Sequence, residues 1–147
     1  MATLSFFLSS RKGKCFMAAR KVVSEWLAKA DEDRAFADAC LEEELSFFGQ
    51  ICFFFQQSAE KYLKAYIVAH DLEFRKIHDL IELLAICRTR DPALAGSEAD
   101  CRLLNRFYVD TRYPAHWPSD FTITDAKSAQ EAAGRISQAI KSKLNAP

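Results

Sequence analysis

The stretch Ser46-Phe47-Phe48-Gly49-Gln50-Ile51-Cys52-Phe53-Phe54-Phe55-Gln56-Gln57-Ser58-Ala59-Glu60-Lys61-Tyr62-Leu63-Lys64-Ala65-Tyr66-Ile67-Val68-Ala69-His70 decides the fold. Its early turns are apolar around most of the helical circumference, through Phe47, Phe48, Ile51, Cys52 and Phe53 to Phe55. That pattern marks a central helix rather than a surface one. Ala59, Tyr62, Leu63, Tyr66 and Ile67 carry the apolar face onward, while Gln57, Glu60, Lys61 and Lys64 form a polar stripe. Glu60 and Lys64 stand at i, i+4 in the favourable order, worth about 0.2–0.5 kcal/mol on an exposed surface.

Four further helices are predicted around it. The first covers 19–43, where Val22, Val23, Trp26, Leu27, Ala30, Phe36, Ala37, Cys40 and Leu41 recur mostly at helical spacing. Glu42, Glu43 and Glu44 at its end oppose the helix dipole, so its last turn is expected to fray. The third covers 80–89, entered through His78-Asp79 and stopped by Asp91-Pro92. The fourth covers 97–111, with Arg102 and Arg106 one turn apart on a basic side. The fifth starts at Thr122, with Asp125 in a capping-box position, and runs to 144 through an alanine-rich face. The expected fold is all-α, an antiparallel up-and-down bundle of four to five helices.

Composition agrees. The chain has 147 residues, 50% of them hydrophobic, with only four Gly and four Pro. That excludes a disordered chain and disfavours a loop-rich β fold. Twenty basic residues balance twenty acidic ones, which argues against nucleic-acid binding driven by overall charge. The zero is a sum of unlike segments: residues 1–21 hold Arg11, Lys12, Lys14, Arg20 and Lys21 with no acid, while 31–44 hold seven acids against Arg34.

The five cysteines, Cys15, Cys40, Cys52, Cys87 and Cys101, make no CxxC pair and no zinc-like spacing to His70, His78 or His116. They read as reduced, buried thiols of a cytoplasmic protein, with no metal and no cofactor implied. No apolar stretch is long enough for a membrane helix. Residues 1–16 match no period well and are expected to form a loose tail, with Met17 a candidate start; 17–147 form a single domain.

Ile51-Cys52-Phe53-Phe54-Phe55-Gln56-Gln57-Ser58-Ala59-Glu60-Lys61-Tyr62-Leu63-Lys64-Ala65 resembles the signature of the HEPN domain family. Three other pieces agree in order: Trp26-Leu27-Ala28-Lys29-Ala30-Asp31-Glu32-Asp33, His78-Asp79-Leu80, and Tyr108-Val109-Asp110-Thr111-Arg112-Tyr113-Pro114. The resemblance covers about 22–144. It implies a helical bundle, often a homodimer, in a prokaryotic protein commonly paired with a minimal nucleotidyltransferase as toxin and antitoxin. Many such proteins are metal-independent ribonucleases using an Arg, four to six residues, then His; others bind nucleotide or RNA, or act as non-catalytic partners.

This chain departs from that pattern. Phe54 stands where the family often has His, and Arg112 is separated from His116 by three residues, with Pro114 among them. The departure favours binding, of nucleotide, RNA or a partner nucleotidyltransferase, over catalysis. Gln57, Lys61, Lys64, His78, Arg112 and Tyr113 are the candidate binding residues. The alternatives are an endoribonuclease toxin using Arg112 and His116 as its catalytic pair, and a purely structural interaction subunit. Each residue also has a plainer reading. Gln57, Lys61 and Lys64 fit the solvent edge of their helix, and His78 fits a helix cap. His70 fits a cation at a helix C-terminus. At least one of Phe47, Phe48 and Phe53 to Phe55 is expected in a homodimer interface.

Overall fold

The computed structural model describes residues 2–110 and 120–145, with side chains over 17–108 and 120–145. Five α-helices run in order: α1 (Ala2–Glu42), α2 (Phe48–Ala69), α3 (Leu80–Arg90), α4 (Glu98–Asp110) and α5 (Ile123–Asn145). A short 3₁₀ helix (Pro92–Ser97) joins α3 to α4, and no strand occurs among the described residues. The expected all-α bundle is present. Its α1 backbone also takes in the stretch expected as a tail, because a helix needs only local hydrogen bonds to continue.

The aromatic-rich helix is central, as its all-round hydrophobicity predicts: α2 packs against α1, α3, α4 and α5. Phe55, Tyr62, Leu63 and Ile67 from α2 meet Leu80, Leu83 and Leu84 of α3, Leu104 and Phe107 of α4, and Ile136 and Ile140 of α5 in one core. Each such side chain contributes about 1.5–3 kcal/mol by leaving water. Close approach is permitted by alanines with no exposed surface: Ala30 and Ala37 of α1, and Ala126, Ala129, Ala132 and Ala133 of α5.

The helix ends follow the local sequence. Asp79 caps α3, its Oδ1 accepting from the Ile81 and Glu82 amides at 2.8 and 3.2 Å. Asp91 ends α3 and caps the 3₁₀ helix by accepting from Ala93 N at 3.0 Å, with Pro92 at its first position. At α5, Thr122 N donates to Asp125 Oδ2 at 2.9 Å, and Asp125 N donates to Thr122 Oγ1 at 3.3 Å, a reciprocal capping box. Glu44, just past α1, takes φ +55, the left-handed geometry that terminates a helix.

The cysteines behave as small core residues. Cys52, Cys87 and Cys101 are buried and free, and burial pushes each thiol up to about 12. Among the described residues no helix is long and apolar enough to cross a membrane, and no group of three or more His, Cys, Asp or Glu is placed to hold a metal.

Candidate binding surface around Glu60 and His78

Glu60 is the hub of the polar stripe on α2. Its side chain and that of Lys64 are 6% and 7% exposed, and Lys64 Nζ donates to Glu60 Oε1 at 2.7 Å. A charge so buried is tolerated only if it is paired and its remaining bonding capacity is met. Both conditions hold. Gln57 Nε2 donates to Glu60 Oε2 at 3.3 Å, and His78 Nδ1 lies 3.1 Å from both carboxylate oxygens. The Lys64 ammonium stands 5.9 Å from the ring centroids of both Trp26 and Phe74, within cation–π range.

The i, i+4 pair is therefore a buried one, not the solvent-edge pair that its spacing alone allows. Trp26 of α1 and Phe74 of the α2–α3 connection close over it from distant parts of the chain.

The connection that carries His78 is pinned at several points. The buried Gln56 amide donates to the His78 carbonyl at 3.2 Å. Leu80 N donates to Asn105 Oδ1 at 2.9 Å, and Asn105 Nδ2 donates to Asp79 Oδ1 at 3.2 Å, tying α4 to the start of α3. The imidazole itself lies flat on Tyr108 of α4, with centroids 4.6 Å apart and planes 15° apart. Its side chain keeps 50% of its surface exposed. A carboxylate facing Nδ1 favours the tautomer with the proton there, leaving Nε2 as an acceptor when the ring is neutral.

From Tyr108 an aromatic strip runs across three helices. Tyr108 meets Phe53 at 6.3 Å, Phe53 meets Phe54 at 5.9 Å, and Phe54 meets Phe36 of α1 at 4.7 Å. Phe36 is 51% exposed and Phe47 63% exposed. Phe55 alone of the Phe53 to Phe55 run is fully buried.

Three cations among the described residues nearby are paired. Lys61 Nζ contacts Asp33 of α1 at 2.5 Å. On α4, the expected basic side is neutralised: Arg102 pairs with Glu98 at 2.7 Å and Arg106 with Asp125 at 3.1 Å.

The same helical layout is found in solved structures. TT1696 from Thermus thermophilus superimposes with a TM-score of 0.75 at 25% identity, over 82% of this chain and 97% of that one. ST0689, an archaeal HEPN homologue, gives 0.68 at 26% identity, over 84% of this chain and 98% of that one. The model of the HEPN domain matches residues 23–143. The chain belongs to the HEPN domain family. No curated protein matches it significantly.

In this HEPN domain, Gln57, Lys64 and His78 converge on Glu60, while Lys61 pairs with Asp33 and reaches the cluster only through Gln57 Oε1 at 3.5 Å. Arg112, Tyr113 and His116 lie outside the described residues. His70 departs from the expected cation: burial, and secondarily the charge of Arg90, lower its pKa. Its ring packs on Tyr66 at 4.3 Å, and its buried Nε2 has no hydrogen-bond partner among the described residues.

Helical spacing assigns Glu60 only a pair with Lys64 and assigns no role to Gln56 or Asn105. Glu60 carries a signal all the same: it stands between two predicted binding positions and one turn from each of Gln56 and Lys64.

Proposed function

We propose that this HEPN protein is a non-catalytic binding module. Its partner is a protein, most simply a minimal nucleotidyltransferase of the kind the family resemblance implies, in a toxin–antitoxin-like pair. One observation carries the reading: Lys61 and Lys64, the cations expected to hold phosphate, are each already paired with a carboxylate. A phosphate-binding groove keeps unneutralised Lys and Arg along its backbone track. The partly exposed aromatic strip from Phe36 to Tyr108 has the composition of a protein interface instead.

A second reading rests on a specific feature. The exposed His78 ring, backed by Tyr108, is a stacking surface for one base, so a nucleotide could occupy the same site.

The two readings separate in one experiment. Purified protein is titrated into a fluorescein-labelled short RNA and a labelled adenine nucleotide, and separately mixed with the product of the adjacent gene. Tight complex formation with that product, with weak and salt-sensitive RNA binding, is expected. RNA affinity that persists at high salt and is lost in His78→Ala would replace the first reading with the second.

A further inference from the structure

The turn between α1 and α2 breaks local rules that the other helix ends obey. Phe47 is the N-cap of α2, where its side chain offers no hydrogen bond and Ser, Thr, Asp or Asn would supply one. Its ring is exposed and takes no part in the core. At the end of α1, Glu42, Glu43 and Glu44 oppose the helix dipole. Glu44 takes φ +55, a conformation that favours glycine. Folding gains from none of these choices, and such departures concentrate at functional sites.

The charge at this turn is open. Of the seven acids in 31–44, the first four are paired: Asp31 with Lys141, Glu32 with Lys29, Asp33 with Lys61 and Asp38 with Arg34. Glu42, Glu43 and Glu44 are exposed and form no ion pair among the described residues.

An aromatic face runs up to these carboxylates. Phe36 of α1 sits on Phe54 of α2 at 4.7 Å. Phe47 stands seven residues before Phe54, so it shares that face about 10 Å away along the helix. Phe36 and Phe47 are thus exposed rings two turns apart, with exposed Ala39 and Gln50 between them. Glu43 continues the helical turn by donating its amide to the Ala39 carbonyl at 3.0 Å. Standing seven residues past Phe36, it lies at the Phe47 end of the face.

We propose that this face docks an amphipathic helix of the partner protein. Its apolar anchors lie two turns apart, and Lys or Arg at one end meet Glu42 to Glu44. Anchors at i and i+7 of a helix match the separation of Phe36 and Phe47. Charge complementarity selects a basic helix, because an acidic one would face three uncompensated carboxylates. Docking here rests on the reading that the aromatic strip meets a protein, and names what that protein presents.

Fluorescence anisotropy on the full chain tests it with two labelled helical peptides of about 18 residues. Both share one leucine face at i, i+3, i+4 and i+7; one carries lysines on its flanks and the other glutamates. The lysine peptide is expected to bind at least about tenfold more tightly at low salt, and to lose that margin at high salt. Phe47→Ser is expected to weaken it at least about tenfold, while the thermal midpoint holds or rises, since serine caps a helix better than phenylalanine. Glu42→Lys combined with Glu43→Lys is expected to reverse the preference between the peptides without loss of helix content by circular dichroism. Equal affinity for the two peptides, or lysine-peptide binding indifferent to Phe47→Ser, overturns the proposal. So does a parent dimer that Phe47→Ser turns into a monomer, which assigns the face to a second copy. The adjacent gene's product is titrated alongside. Equal binding of that product to the parent chain and Phe47→Ser overturns the docking face and leaves the protein-partner reading intact. Lysine-peptide binding through Phe47, with no binding of the product, supports the docking face and removes the nucleotidyltransferase as its partner.

Discussion

His78 Nδ1 lies 3.1 Å from both carboxylate oxygens of Glu60. This contact joins two links of the chain's logic. Glu60 belongs to the buried ion pair of α2, and His78 belongs to the connection that leads into α3. The buried pair thus acquires one of the donors it needs, and the surface histidine acquires a fixed orientation against Tyr108.

Removing one member of the buried pair strands the other. Glu60→Gln leaves the Lys64 ammonium without its counter-charge at 7% exposure. A loss of about 3–5 kcal/mol is expected, read as a lowered urea midpoint. Glu60→Met combined with Lys64→Met is expected to recover most of it, because burying no charge costs less than burying one alone.

His78→Ala removes the stack on Tyr108 and one donor to Glu60, while Gln56 loses nothing, since it bonds the His78 carbonyl. The expected cost is modest, about 1–2 kcal/mol, because the ring is half exposed. Partner binding is expected to fall far more than stability, and comparing thermal melts with binding isotherms checks that split.

His70 makes the fold sensitive to mild acid. Burial lowers its folded-state pKa below the ordinary 6.5. The unfolded chain therefore binds the proton first as pH falls, so the His70 contribution is complete above about 6.5 and declines as pH drops through the folded value. His70→Gln is expected to flatten the stability–pH curve below about 6.5, measured by urea titrations at each pH.

Acid sensitivity has a second source at lower pH. Burial favours protonated Asp31, but hydrogen bonds from Lys141 and Tyr62 outweigh it and hold the acid below its ordinary 3.8. A depressed carboxylate stabilises the fold above its unfolded pKa and stops doing so as pH falls through the folded one. Asp31→Asn is expected to lose stability at neutral pH and to show less further loss below pH about 4.

Thiol labelling tests the core. Cys52, Cys87 and Cys101 are buried with pKa values near 12, so native-state alkylation is expected to be slow at all three. Cys40, only partly buried, is expected to label ahead of them. Peptide mapping by mass spectrometry reads the order.

The helices were legible because their signals are local. Asp79, Asp91-Pro92 and Thr122 with Asp125 act within a few residues, and each cap forms as its spacing predicts. The central place of α2 was legible from its aromatic circumference. What was not legible is pairing across distance. Lys61 meets Asp33 across 28 residues, and Lys64 is buried by Trp26 and Phe74, one before and one after it in the chain. Periodicity places a residue on a face but does not say what covers that face. The Glu60–Lys64 pair was legible from its spacing, while the pairing of Lys61 with Asp33 and the burial of Lys64 were invisible until the neighbouring helices were in place.

The His78–Tyr108 end of the aromatic strip is expected to bind a protein partner rather than RNA. Isothermal titration calorimetry of the full chain against the adjacent gene's product tests it most directly, run in parallel with His78→Ala and Phe53→Ser. The parent chain is expected to give a saturable heat, weakened at least about tenfold in both variants, with no comparable heat from RNA. Equal binding by the parent chain and both variants, or RNA binding that outcompetes the protein, would contradict it.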